Sequence, residues 1–220
     1  PAAPPNTRGA HRHGNYNPPL MNVWRARFSR WFEPLARRTP LSPNTITVIA
    51  LLLNVCAALL LVQRQFLVAI VLLAIGGWAD AFDGIVARVQ QKTSAYGDFL
   101  DHFADRVSDV LIITGWLLGN RVRIEITVLA IIAVLLNGYI GTQIEATWHQ
   151  REYDTIGRGQ FVAGMVLYPI ASHVIAQRGW ESVAPGSLTI AEWMTLALVA
   201  VALLGIAQRF ALASRLGRSE

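Results

Sequence analysis

The sequence holds one cysteine in 220 residues, Cys56, and it lies inside an apolar run. That excludes a disulfide framework and a zinc site built on cysteines. Lysine is nearly absent too, Lys92 standing against 18 arginines. Charged residues make up only 15% of the chain and hydrophobic residues 53%. Together with a mean hydropathy of +0.39 and long apolar runs, this describes an integral membrane protein rather than a soluble one. No stretch is left over for a soluble domain, and no internal repeat is visible. A pI near 10.0 raises nucleic-acid binding as a function. The arginines, however, sit at the ends of apolar runs instead of forming one stripe, which argues for a membrane and against a nucleic-acid partner.

Residues 1–20 are rich in Pro, Asn, His and Gly without periodicity. They read as a disordered tail, or the remnant of a preceding segment, outside the fold. Within 21–43, Trp24, Phe28, Trp31, Phe32 and Leu35 alternate with Arg25, Arg27, Arg30, Arg37 and Arg38. That spacing predicts a juxtamembrane amphipathic helix lying on an anionic leaflet; the other reading is a segment packed on the bundle. Six apolar segments follow, at about 45–62, 66–88, 97–119, 125–147, 160–177 and 188–212. Each is long enough, or nearly so, for ~30 Å of hydrocarbon. Pro169 in the fifth predicts a kink. The expected fold is all-α: a six-helix transmembrane domain over 44–215, then a short tail, 216–220. Between the two sides of such a bundle Arg and Lys divide 12 against 4, the termini on the richer side. This predicts a multi-pass cell-membrane protein with both termini cytoplasmic.

The acids are unevenly placed. Six of the seven aspartates fall between Asp80 and Asp109, in segments that otherwise read as membrane helix. Asp80 and Asp83 share a helix face; so do Asp98, Asp101, Asp105 and Asp109, spaced 3, 4 and 4. The two segments are joined by residues 89–96 and form an expected antiparallel hairpin. Asp80 lies about 12 Å before Arg88 and Asp105 about 12 Å after Gly97, so the carboxylates share one depth below the cytoplasmic surface. Each charge inside a membrane costs on the order of 2.5–3.5 kcal/mol, and clustered anions also repel. Arg106 sits one residue off the Asp face, and no lysine is at hand. An oxygen-only set without His or Cys suits Mg²⁺ or Mn²⁺, and two ions would balance four carboxylates, as in phosphoryl-transfer sites. Gly84 and Gly97 flank the cluster, reading either as close approach of ligand or backbone, or as helix packing through small residues.

The full string is Asp80-x2-Asp83-Gly84-x2-Ala87-Arg88-x8-Gly97-x3-Asp101-x3-Asp105. It resembles the motif of the CDP-alcohol phosphotransferase family with every position present, and the resemblance covers roughly residues 22–215. The resemblance implies a membrane phospholipid synthase. Such an enzyme moves a substituted phosphate from a CDP-alcohol, such as CDP-diacylglycerol, to an alcohol and releases CMP. It implies that Asp80, Asp83, Asp101 and Asp105 hold the metals, with Asp105 also the proton acceptor. Asp83, Gly84, Ala87, Arg88, Ser94 and Gly97 would contact the CDP-alcohol. The stretch Pro43-Asn44-Thr45-Ile46-Thr47 resembles the family's opening of its first span, putting Asn44 and Thr47 over the cytidine; helix capping is the other reading of these two. A homodimer is a further implication.

The acceptor is less legible. The resemblance implies that members using inositol phosphate bind its phosphate with basic residues from the fourth to sixth spans; residues 137–145 here carry no Lys or Arg, which makes inositol phosphate a less expected acceptor. Arg158, Arg209 and Gln143 are the acceptor-side candidates. Both arginines read equally as positive-inside anchors, and Gln143 as a polar helix-end group. Two other classes compete. A divalent-cation transporter needs acids along a path and a repeated half, and here they form one cluster. An intramembrane aspartyl protease resembles Gly-x-Gly-Asp, whereas this chain reads Ala95-Tyr96-Gly97-Asp98.

Overall fold

The computed structural model of the chain describes residues 30–148, 158–181 and 186–218, the side chains of 158–162 excepted. Among the described residues every regular element is a helix. A short helix, α1, covers 30–38; the predicted start of that segment, 21–29, lies outside the described residues, as does the tail 1–20. Six long helices follow: α2 (Pro43–Val62), α3 (Phe66–Val89), α4 (Ala95–Gly119), α5 (Ile124–Trp148), α6 (Arg158–Arg178) and α7 (Ile190–Leu216). Their bounds fall within a few residues of the apolar segments in the sequence. Helices α2, α3, α5 and α7 are long and apolar enough to cross a membrane. Helix α4 is as long, but Asp98, Asp101, Asp105, Arg106 and Asp109 on it lower its hydropathy. Helix α6 continues through Pro169.

Local chemistry sets the ends. Ser42 caps α2, its hydroxyl accepting from the Thr45 amide at 3.1 Å, with Pro43 in the first turn where its missing N–H costs nothing. Ser94 caps α4 in the same way through the Gly97 amide, 3.0 Å away. Thr189 and Glu192 form a reciprocal capping box at the start of α7. Arg64, Gln91 and Arg121 take positive φ just past the ends of α2, α3 and α4, where the chain reverses tightly without glycine. At the end of the bundle away from the motif, Arg64 pairs with Glu181, and Arg123 Nε donates to the buried Glu192 at 2.8 Å.

Helices α3 and α4 are consecutive, as the short link implies, but they touch each other little; α2 packs along both of them. The backbones of α2 and α4 approach closely at two glycines. A Cβ at Gly115 or Gly119 would run into the carbonyls of Ala58 or Leu61. This is small-residue packing of the kind that joins membrane helices. The main core gathers Leu61, Phe66, Leu73, Trp116, Leu117 and Val199 from α2, α3, α4 and α7. Helix α5 packs on α7 and also on α4, while α6 leans on α3. Helix α1 docks at the motif end. Phe32 meets Trp78 edge-on at 4.4 Å, and the Gln90 side chain donates to the carbonyls of Ala36 and Thr39, groups that a helix end otherwise leaves unsatisfied. Its other side, with Trp31, is exposed.

The glycine contact gives a stability test. Gly115→Ala or Gly119→Ala should cost about 1–3 kcal/mol by overpacking and lower the thermal midpoint in detergent. Gly77→Ala, where an added Cβ meets nothing within 4 Å, should leave the midpoint in place. Equal midpoints in all three would show that α2 and α4 do not meet this closely.

Candidate active site

The motif aspartates project into the space that α3 and α4 leave between them. One carboxylate oxygen each from Asp80, Asp101 and Asp105 lie within 4.8 Å of one another. Asp105 is buried, and Asp80 and Asp101 are half-buried. Three oxygens from two helices, with no His or Cys, make a donor set suited to a hard divalent cation. The trans span of an octahedral Mg²⁺ site is about 4.2 Å, so small side-chain rotations bring these oxygens to ligand distance. The residues fit such an ion.

Asp83 stands beside that group rather than in it. It is turned toward α2, and its Oδ2 accepts from the Thr47 hydroxyl at 2.5 Å. Thr47 is itself buried, so the contact ties the first turn of α2 to the motif. Asn44 reaches α4: a Cβ on Gly97 would stand 3.2 Å from Asn44 Oδ1 and 3.2 Å from Ser94 Oγ. Gly97 is thus the place where α2 and α4 approach. Gly84 lies under the Arg88 guanidinium, which would stand 3.4 Å from an added Cβ. Ala87 is half-buried between them in sequence. The structure therefore brings Asn44, Ser94 and Gly97 together, joins Thr47 to Asp83, and folds Arg88 over Gly84. One turn deeper, Asn54 Nδ2 donates to Ser108 Oγ at 3.1 Å, and Asn54 Oδ1 occupies the space opposite Gly76. This knot ties α2, α3 and α4 below the carboxylates.

Asp98 and Asp109 lie outside the three-carboxylate group. Asp98 is exposed at the start of α4. Asp109 is buried and accepts from Arg106 Nη1 at 3.2 Å. Of the acceptor-side candidates, Arg209 of α7 is buried and donates to the Asn137 side-chain oxygen at 2.7 Å and to the Asn137 carbonyl. Its guanidinium lies against Gly141, with Cζ 3.0 Å from where a Cβ would be. Gln143 is exposed and donates to the Tyr139 hydroxyl at 2.6 Å, on a different face of α5 from Gly141. The Arg158 side chain lies outside the described residues. Arg106, Asn137 and Gly138 were not legible as site residues. Their signal is polar or glycine positions at helical spacing inside apolar runs.

The chain is similar to known proteins. The sequence model described as CDP-alcohol phosphatidyltransferase matches residues 40–204, so the chain belongs to that family. It is 36% identical over 99 residues to the archaetidylinositol phosphate synthase of Pyrococcus horikoshii, covering 45% of this chain and 53% of that protein. It is 31% identical over 130 residues to the enzyme of the same name from Methanothermobacter thermautotrophicus, covering 59% and 67%. The match thus spans about half to two thirds of these relatives. The fold is similar to the crystal structure of the Mycobacterium tuberculosis phosphatidylinositol phosphate synthase with CDP-DAG bound. There the TM-score is 0.61 at 20% identity, over 83% of this chain and 92% of that one. A structure of the same protein in complex with manganese and citrate aligns with a TM-score of 0.59 at 18% identity, over 85% and 87%.

The carboxylate group gives the next test. Asp80→Asn or Asp101→Asn removes a ligand charge. Mn²⁺ affinity should fall by more than the roughly 10–100-fold cost of losing an outer-sphere partner. Isothermal titration of Mn²⁺ into each variant checks it, and unchanged affinity in either would contradict the assignment.

Proposed function

We propose that this chain is a membrane phospholipid synthase: it transfers the phosphatidyl group of a CDP-linked lipid to an acceptor alcohol and releases CMP. The observation that carries the reading is the convergence of Asp80, Asp101 and Asp105 in a complete family motif, with Asn44 and Thr47 of α2 held against it. In this reading 44–215 form six membrane spans, the motif end faces the cytoplasm, α1 lies at the leaflet surface and the protein is a homodimer.

Asp80, Asp83, Asp101 and Asp105 would hold two divalent ions, Mg²⁺ or Mn²⁺, the Asp83 carboxylate being set by Thr47. When bound, the ions neutralise the pyrophosphate of the donor. Asn44, Thr47, Gly84, Ala87, Arg88, Ser94 and Gly97 form the wall for the CDP moiety. The glycines keep side chains out of its way, and Arg88 supplies a cation. Asp105 is the base. It accepts the acceptor's hydroxyl proton on a carboxylate oxygen as the acceptor oxygen bonds to the β-phosphorus. The bond from that phosphorus to the bridging oxygen breaks, and CMP leaves. Burial of Asp105 keeps competing water off the base.

The acceptor side favours an alcohol that carries a phosphate. Arg209 is a buried cation that pairs with neutral oxygens and, among the described residues, with no carboxylate. Such a charge inside a membrane protein is costly unless an anion joins it. The archaetidylinositol phosphate synthases among the relatives support the same reading. Gly141, within the stretch that carries no Lys or Arg, leaves room for the Arg209 guanidinium.

Purified chain in lipid nanodiscs, given CDP-diacylglycerol, Mg²⁺ and one acceptor at a time, should release CMP with a phosphorylated polyol. Asp105→Asn should bind CDP-diacylglycerol within roughly tenfold of the wild type while turnover falls by about 10²–10⁴. Near-normal turnover in that variant would place the base elsewhere. Absence of CMP release with every acceptor would contradict the function itself.

A further inference from the structure

Arg106 is not a motif position, yet its setting is unusual. It follows the proposed base in sequence and projects from α4 toward α5. There its Nη1 lies 2.5 Å from where a Cβ of Gly138 would be, so only glycine leaves room for it. Three residues on, the Arg209 guanidinium lies against Gly141, its Cζ 3.0 Å from where a Cβ would be. Positions i and i+3 share a helix face about 5–6 Å apart. Two guanidinium groups from α4 and α7 therefore lie side by side on one face of α5. Arg106 is a charged neighbour that acts on Arg209. Two like charges held close in a membrane protein repel unless something anionic joins them. Asp109 balances Arg106 alone, at 3.2 Å. Arg209 is held by Asn137 oxygens, which orient it without neutralising it. The Arg106 Nε–H is buried and has no partner among the described residues. The pair thus has excess positive charge and an unused donor, one residue from Asp105.

We infer that Arg106 is a specificity-determining residue that binds the acceptor's phosphate together with Arg209, and that Gly138 and Gly141 are the sockets that aim the two guanidiniums. The inference rests on the phosphorylated-acceptor reading and deepens it. A phosphate dianion between two planar forks takes charge-assisted hydrogen bonds from both. Asp105 then lies between the metal-binding carboxylates, toward α3, and the arginine pair, toward α5. An acceptor tethered by its phosphate presents its hydroxyl to the base. An alcohol without phosphate leaves two unpaired cations and is disfavoured.

Two variants test this against a merely structural Arg106–Asp109 ion pair. Arg106→Gln removes the cation. Gly138→Ala leaves Arg106 intact but displaces its flexible guanidinium end, a change the fold tolerates because no backbone is struck. For each, KM and kcat are measured with inositol 1-phosphate and with glycerol 3-phosphate as acceptors. The KM for CDP-diacylglycerol and inhibition by inorganic phosphate are measured alongside. Acceptor KM should rise about 10- to 100-fold in Arg106→Gln, the range for losing a hydrogen bond to a charged group. Donor KM should move less than about threefold, and inorganic phosphate should inhibit correspondingly less; Gly138→Ala should show the same split at an unchanged thermal midpoint. Unchanged acceptor KM in both variants, or donor and acceptor KM rising together, would overturn the role of Arg106 while leaving the transferase in place. Wild-type protein that releases CMP only with unphosphorylated alcohols would overturn both this inference and the reading beneath it.

Discussion

Carboxylates inside membrane helices are the constraint that organises this molecule. Each buried anion is expensive in a low-dielectric surrounding, and neighbours of the same sign add to the cost. The cost is met differently on the two sides of α4. Toward α5, Asp109 is matched by Arg106. Toward α3, Asp80, Asp101 and Asp105 converge as an oxygen-only group suited to a divalent cation. Helices α3 and α4 stand apart around this group, which leaves room for a cation among the three carboxylates. Helix α2 supplies the rigidity that the pair forgoes. It packs on both helices, presses its backbone against Gly115 and Gly119, and fixes the mouth of the site through Thr47, Asn44 and Asn54.

The site therefore has two halves that share one helix. Helices α2, α3 and the motif face of α4 form the donor half. In the proposed reading, helices α5 and α7, with Arg106 of α4, form the acceptor half. Asp105 belongs to the metal group, and Arg106 beside it points into the acceptor half. Consecutive residues on a helix point about 100° apart, so this single step in sequence serves two substrates from one rigid element. The far end of the bundle, held by Arg64–Glu181 and Arg123–Glu192, carries no comparable cluster among the described residues.

Much of this was legible in the sequence, for physical reasons. Long apolar runs broken by short polar turns mark helix bounds closely, because a chain in lipid has few other ways to satisfy its backbone. Aspartates at spacings of 3 and 4 mark a shared face, and convergence of three of them followed. What the sequence did not show is how the helices stand against one another. The short link between α3 and α4 implied a hairpin, and nothing local to that link reveals that α2 packs along both. Glycine was equally opaque. Gly138 and Gly141 look like ordinary membrane-helix glycines until the arginines of two other helices are seen against them. The lack of basic residues at 137–145 pointed away from a phosphate. The structure locates the positive charge on α4 and α7 instead, facing the same stretch.

The central claim is that the aspartate group grips the donor through a divalent cation. CDP-diacylglycerol affinity of the wild-type chain in nanodiscs, titrated against Mg²⁺ and then with the metal removed by chelation, tests it most directly. The account predicts that donor binding rises with metal and weakens at least about tenfold in its absence, because bare carboxylates repel a pyrophosphate. Equal affinity for the donor with and without divalent metal would contradict it.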